Sequence, residues 1–154
     1  MALTKFEELC ELAYAQLIEI FEHALPERVR GFYYEDEFNK IISLNSDIKD
    51  IAEKICVLTE EIGHSIYGGN QMGRHIPELM KRKYEFLARK WAYKKLLPIR
   101  KLIAALKSPY FHNYYEIAEE FDVTQDFLGA AIEYYKSTGD IPRYNNYNER
   151  CFCG

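Results

Sequence analysis

Three ionisable residues, Glu60, Glu61 and His64, lie within a single stretch of five residues. Residues four apart on a helix differ by about 40° around its axis, so the side chains of Glu60 and His64 can meet one metal ion. Glu61 lies about 100° further round, where its carboxylate can reach a metal-bound water. The layout is that of HExxH, in which two ligands four apart bind zinc and the intervening Glu is the general base. Here the first ligand position is Glu instead of His.

Catalytic zinc needs a third protein ligand, which leaves one position open for water. Glu85 is the best candidate, because it lies 21 residues after His64 on the next predicted helix and flanks a face that carries alanines. A carboxylate beside an apolar face is costly unless it is paired or binds a metal. The alternative is an ion pair of Glu85 with Lys81 or Arg89, four residues to either side.

The apolar residues of the same helix predict a core stripe on the side opposite Glu60 and His64. This stripe comprises Ile48, Ile51, Ala52, Ile55, Thr59, Ile62 and Ile66. Two interpretations fit the pattern. The face of Glu60 and His64 is either solvated, with an incidental Glu–His pair, or it lines a metal-binding cleft.

Helical patterns occupy much of the chain. A first helix is predicted from Thr4 to Leu25, and the active helix from about Ser46 to Tyr67, with Ser46 as its N-cap. The third-ligand helix covers 77–97, and a short helix covers 99–106. Two further helices within 110–137, one of them capped by Thr124, form a helix-turn-helix-like segment.

Two short runs rich in β-branched and aromatic residues, Gly31–Tyr34 and Ile41–Leu44, predict a hairpin or two strands of a small sheet. The sequence therefore predicts an α+β, mainly helical fold with a small antiparallel sheet near 30–45. A single domain is predicted over 1–138, followed by a loosely ordered tail at 139–154. The tail contains Cys151 and Cys153, to which we assign no role.

Bulk properties limit the classes of function. The chain has 154 residues, of which 48% are hydrophobic and 29% charged, as expected for one globular domain. It shows neither an apolar run of about 20 residues nor a signal-peptide core, which predicts a cytoplasmic protein without membrane contact. The net charge of −4 argues against general nucleic-acid binding, although basic residues cluster between 81 and 101. We expect that cluster to be a solvated helix face.

Several motifs together resemble one known family, the ImmA/IrrE metallo-endopeptidases. The matching stretches are Gly31–Tyr34, Ile41–Asn45, Cys56–His64, Glu85–Pro98 and Ile117–Thr124. Their order and spacing make the resemblance more specific than any single motif, and it covers roughly residues 31 to 135. The resemblance implies a zincin-like active helix with the metal ligands Glu60, His64 and Glu85.

In this resemblance Glu61 is the general base that deprotonates the metal-bound water and later passes the proton to the leaving amine. Zinc is the expected metal. Because a Glu–His–Glu site has a second anionic ligand, it also suits harder ions such as manganese or iron and should reduce the acidity of the bound water.

Members of the family are commonly carried by phages and integrative elements. The resemblance therefore implies an antirepressor that cleaves a partner helix-turn-helix repressor. One alternative is a catalytically inactive member that binds the repressor without cutting it. Another is a DNA-binding module, but the would-be recognition helix carries Asp126 and Glu133 and no basic residue before Lys136, so it should repel DNA. The oligomeric state stays open.

Overall fold

The computed structural model describes residues 2–69 and 75–142. The elements are α1 (Lys5–Ala15), β1 (Glu19–His23), β2 (Gly31–Glu35), β3 (Lys40–Asn45), α2 (Ile51–Ile66), α3 (Glu78–Leu96), α4 (Ile99–Lys107), α5 (Tyr114–Glu120) and α6 (Gln125–Thr138). The α+β, mainly helical fold class is confirmed. The chain forms two compact units, Met1–Ala92 and Tyr93–Gly154, and the single domain over 1–138 stays a prediction. In the described part of the chain, none of the helices combines the length and the apolar character of a membrane span.

The sheet has three strands in the order β1-β3-β2. β2 and β3 are antiparallel, with Gly31 opposite Leu44, so the predicted hairpin is confirmed. β1 lies on the other side of β3 and is parallel to it, with Glu19 opposite Ile41. The sheet is therefore mixed, which corrects the prediction of a purely antiparallel one. The strand that was missed lies within the region predicted as the first helix.

The first helix ends well before Leu25, the end that its apolar spacing predicts. The backbone of Leu17 turns to a φ of 61°, and the N–H groups of Leu17 and Ile18 bond back to carbonyls of the last helical turn. This arrangement closes α1 at Ala15. The residues that follow pair with β3, so long-range strand pairing overrides the local helical pattern.

Side-chain caps begin α1, α2, α5 and α6. The capping box of Thr4 and Glu7 is confirmed at the start of α1, and Thr124 caps α6 by accepting a backbone N–H. The prediction that Ser46 caps the active helix is wrong, because Asp50 is the N-cap of α2. The active helix is therefore shorter at its start than predicted.

Asn45 explains the late start of α2. Its side chain is fully buried, and its carboxamide oxygen accepts the N–H of Asp47 at 3.0 Å. Its NH2 group donates to the carbonyl oxygens of Val29 at 2.9 Å and Leu25 at 3.4 Å. The Asn45 amide thus fastens the end of β3 to the 25–29 loop and forms a turn where a helix from Ser46 would begin.

α2 is buried over more of its surface than its apolar stripe predicts. Ile55, Thr59 and Ile62 are buried as predicted, whereas Ile51 and Ile66 are exposed. The residues buried outside the predicted stripe are Cys56, Leu58, Gly63 and His64. The side of α2 that carries His64 is therefore covered by protein.

In the second unit, the hydroxyl of Tyr135 donates to the carbonyl oxygen of Leu97 at 2.7 Å. The ring of Tyr93 packs edge-on against Phe127, with 5.2 Å between the ring centroids. These contacts fix α6 against the segment where α3 ends. Ile141 is also buried, and its N–H donates to the carbonyl of Tyr135, so the packing extends to this residue. Residues 143–154 of the predicted tail, with Cys151 and Cys153, lie outside the described residues.

A short turn joins α5 to α6, so the predicted helix-turn-helix-like segment is present. Asp122 in this turn adopts a φ of 54°. Asp126 and Glu133 are exposed on α6. Their charge supports the expectation that this segment does not bind DNA, which stays a prediction.

We expect Asn45→Ala to lower the free energy of unfolding by about 2 kcal/mol, because it leaves the carbonyls of Leu25 and Val29 without a buried donor. Urea unfolding followed by circular dichroism measures the change. Asn39→Ala is the matched control, since Asn39 is exposed in the hairpin turn and bonds to Asp36 at the surface. Equal losses in the two variants would contradict the role of Asn45.

Candidate metal centre

The second half of α2 presents Glu60, Glu61 and His64 to the interior of the first unit. His64 is only 7% exposed, and Glu60 and Glu61 are partly buried. The interpretation of this face as a solvated one is therefore wrong for His64. The alternative, a face that lines a cleft, fits the burial of all three residues.

α3 lies against this face of α2, and their backbones approach closely. A Cβ atom placed on Gly63 would lie 2.7 Å from the carbonyl oxygen of Ala88 and 3.0 Å from its Cα. Glu85 is three residues before Ala88 and so lies on the same side of α3. Its Oε2 is 3.6 Å from Nε2 of His64. The structure thus brings two of the predicted ligands together.

The distance between these two atoms suits a shared metal ion. Two ligand atoms at about 2.1 Å from a tetrahedral zinc are about 3.4 Å from each other. The observed 3.6 Å is close to that value and is too long for a hydrogen bond. In addition, Nδ1 of His64 is buried and has no hydrogen-bond partner in the described part of the chain. A bound ion or water at the imidazole is the usual explanation for such an atom. The distance therefore fits the metal that the donor types imply, whereas Nδ1 points away from Nε2 and does not bear on an ion shared with Glu85.

Glu60 is partly buried one turn before His64. Its carboxyl lies near enough to Glu85 and Arg89 for their charges to act on its pKa. Even so, across residues 2–69 and 75–142, no three His, Cys, Asp or Glu side chains form a group that could hold a metal ion. The ligand set of Glu60, His64 and Glu85 therefore stays a prediction, of which the structure brings the His64–Glu85 pair together.

The sheet approaches Glu61 from the other side. A Cβ on Gly31 would lie 2.8 Å from Cγ1 of Val57 and 3.4 Å from Cγ of Glu61, so β2 packs directly on α2. The backbone N–H of Tyr33 bonds to the Glu61 carboxyl. Glu61 is thus held between the helix and the edge of β2, as a base with a fixed position must be.

Burial raises the pKa of Glu61 to about 8, and the nearby carboxylates of Glu60 and Glu85 act in the same direction. The N–H of Tyr33 has the opposite, smaller effect. Burial also raises the pKa of Glu60, which Arg89 lowers and Glu85 raises. In the metal-free protein, burial and the neighbouring carboxylates therefore favour the protonated form of Glu61. A divalent cation nearby would favour the ionised form.

Burial lowers the pKa of His64, and this outweighs the opposite effect of the Glu85 carboxylate. Arg89 lowers the pKa further. The approach of His64 to Glu85 is therefore a contact of a neutral imidazole with a carboxylate, although the distance alone would allow an ion pair. A neutral imidazole is the form that binds a metal.

Two residues at the centre were not predicted to belong to it. Nη2 of Arg89 is 3.9 Å from Oε2 of Glu85, so the ion pair considered as an alternative role for Glu85 occurs beside the contact with His64. Arg89 follows Glu85 by four residues on α3, and this spacing is the feature of the sequence that indicates the ion pair. Tyr33 acts through its backbone N–H, and no residue type in the sequence marks such a contact.

A comparison with protein-family models now adds to this geometry. The model of the IrrE N-terminal-like domain, a peptidase family, matches residues 15–133. The chain belongs to this family. Membership supports a metallopeptidase and implies a divalent metal, typically zinc. The match includes both α2 and the part of α3 that carries Glu85. The comparisons with curated proteins and with solved structures give no match.

Purified protein supplied with zinc should retain about one ion per chain, and Glu60→Ala, His64→Ala and Glu85→Ala should each lose it. Elemental analysis after gel filtration measures the content. Glu78→Ala is the control, because Glu78 is a more exposed carboxylate on α3 that pairs with Arg82. Full retention by His64→Ala or Glu85→Ala would contradict the site. Retention by Glu60→Ala alone would remove only Glu60 from the ligand set.

Metal-free protein should lose stability as pH rises from about 4.5 towards 8, because folding favours the neutral form of Glu61. The contribution of Glu61 to the free energy of unfolding is complete below the pKa that it has in the unfolded chain. It is lost as pH rises through the pKa of Glu61 in the folded protein. Glu61→Gln lacks this titration. The Tm of the variant minus the Tm of the wild type should therefore be larger at pH 8 than at pH 4.5. Thermal unfolding in the presence of a chelator measures the Tm of the two proteins at each pH. A difference that does not change with pH would count against the raised pKa.

Proposed function

We propose that this protein is a zinc-dependent endopeptidase that cleaves a partner helix-turn-helix repressor and so relieves repression of a phage or mobile element. The observation that supports it most is the 3.6 Å approach of His64 and Glu85 beside the partly buried carboxyl of Glu61. The family supports the metallopeptidase activity. The repressor as substrate and the cytoplasm as its location come from the resemblance and from the composition.

When bound, zinc would polarise the scissile carbonyl and make its water a nucleophile at neutral pH. Glu61 would accept the proton of that water and pass it to the leaving amine. The raised pKa of Glu61 belongs to the metal-free protein, and a bound divalent cation would lower it towards the ionised form that can accept this proton. The N–H of Tyr33 favours the ionised form of this carboxyl.

The free edge of β2 offers a place for an extended substrate. The N–H of Asn45 donates to the carbonyl of Arg30, so alternate residues of β2 bond to β3. By this alternation, the N–H and C=O groups of Gly31 and Tyr33 point to the other edge, consistent with the contact between Tyr33 and Glu61. Within the described residues, β2 pairs only with β3. A peptide laid along this edge would pass the Glu61 carboxyl.

Part of the rim of the centre is exposed. The side chains of Glu85 and Arg89 are 43% and 56% exposed, whereas His64 behind them is buried. An endopeptidase needs such access, because both ends of its substrate continue beyond the site. We infer that the cleaved segment of the repressor is extended or becomes so on binding.

The second candidate is an inactive member that binds the repressor without cutting it. It is favoured by the lack of a group of three metal-binding side chains among the described residues, with Glu60 where a His is usual. This candidate keeps the docking function and loses the hydrolysis. Metal content alone does not separate the two, so a cleavage assay is needed.

Glu61→Gln should abolish cleavage of the partner repressor, while binding of the repressor and the zinc content persist. The amide keeps the shape of the side chain but cannot accept the proton of the water. Gel electrophoresis of the repressor, co-purification and elemental analysis give the three readings. Glu53→Gln, a carboxylate on the same helix that pairs with Arg30, is the control and should cut normally.

Cleavage by Glu61→Gln at the wild-type rate would reject Glu61 as the base. Full relief of repression by Glu61→Gln, without cleavage by either protein, would instead favour the inactive binding member. Salt-dependent DNA binding by the protein alone would point to a nucleic-acid role that the exposed acidic residues of α6 argue against.

A further inference from the structure

We propose that Gly63 is a positioning residue for the metal centre: its lack of a side chain lets α3 come close enough for Glu85 to share a metal ion with His64. This inference rests on the proposed function. Gly63 would touch neither the metal nor the substrate, and it would act through the distance between two helices.

The backbone conformation of Gly63 does not require a glycine. Gly63 lies inside α2 and is not among the residues with positive φ, so any residue can adopt its conformation. Alanine is favoured over glycine inside a helix, so a glycine there usually has a packing reason. In this protein the reason is visible, since all three of the nearest atoms to a Cβ on Gly63 belong to the backbone of Ala88.

A side chain at this position therefore cannot be accommodated by a rotamer change. The Cβ would lie 2.7 Å from the carbonyl oxygen of Ala88, whereas ordinary van der Waals contact begins at 3.4 Å. The two helices would have to separate by several tenths of an ångström. Metal–ligand distances tolerate about 0.2 Å, so such a shift is large for the centre.

The contact of Gly63 with Ala88 lies next to the two predicted ligands, so a change there acts mainly on the distance between them. Gly63 directly precedes His64, and Ala88 follows Glu85 by one helical turn. A separation of the backbones at this crossing therefore acts on the distance between Nε2 of His64 and Oε2 of Glu85. The rest of α3 packs through other contacts, such as that of Tyr84 with the backbone at Gly68.

The test compares Gly63→Ala with Gly129→Ala. Gly129 also lies inside a helix, but a Cβ there would meet nothing within 4 Å. Zinc affinity is measured by competition with a chromophoric chelator, and coordination by the absorption spectrum of the cobalt(II)-loaded protein. Gly63→Ala should bind zinc about 10–100-fold more weakly and change the cobalt spectrum, as loss of an outer-shell support does. Gly129→Ala should match the wild type.

Ala88→Gly gives a second check. Because the atoms that face Gly63 are backbone atoms, Ala88→Gly should not restore zinc binding to Gly63→Ala. Wild-type affinity and an unchanged cobalt spectrum in Gly63→Ala would overturn the inference. A Gly63→Ala chain that fails to fold, judged by circular dichroism without metal, would also overturn it, since the proposed shift is confined to the centre.

If the wild-type protein binds no zinc, the proposed function fails and the inference is decided in the metal-free protein. There, the coupling between His64→Ala and Glu85→Ala in the free energy of unfolding should be weaker in the Gly63→Ala background. A coupling of equal size in both backgrounds would overturn the inference while saying nothing of the peptidase.

Discussion

His64 and Glu85 come together where the backbones of α2 and α3 are close, at the contact of Gly63 with Ala88. The chain gives up the helix-stabilising side chain of an alanine at Gly63 to allow this contact. On the other side of α2, Gly31 allows a similar approach by β2. The second half of α2 is therefore packed between a helix and a strand edge, and its ionisable residues are buried as a consequence of that packing.

This burial has an electrostatic cost. Glu60 and Glu61 both have raised pKa values, mainly because of desolvation, and Glu85 adds repulsion to each. Arg89 offsets part of this repulsion at Glu60. A site of this kind lowers the stability of the metal-free fold and is sustained by packing elsewhere, such as the buried hydrogen bonds of Asn45. The same crowding of carboxylates favours a divalent cation.

Local patterns in the sequence predict most helices and the hairpin, because caps such as Thr124 and apolar spacing act over a few residues. They fail for β1, whose apolar residues also fit a helix and whose pairing with β3 is a long-range contact. The local patterns also fail at the start of α2. There, the side chain of Asn45 bonds to Val29, which precedes it in the chain, and to Asp47, which follows it. In the centre, the proximity of His64 and Glu85 agrees with the pattern of residue types. The backbone contacts of Tyr33 and Gly63 depend on the packed fold and have no counterpart in that pattern.

The substitution of Glu for the usual first His has a consequence that reaches beyond the ligand itself. A neutral imidazole at position 60 would neither repel Glu85 nor attract Arg89, whereas the Glu60 carboxyl does both. In the metal-free protein, Arg89 is thus shared by Glu85, at 3.9 Å, and by the charge of Glu60. A metal ion bound by these carboxylates would compete with Arg89 for them. Occupancy of such a centre therefore depends on a balance between two cations, and Arg89, which lies at the exposed rim, is the one that can swing away into solvent.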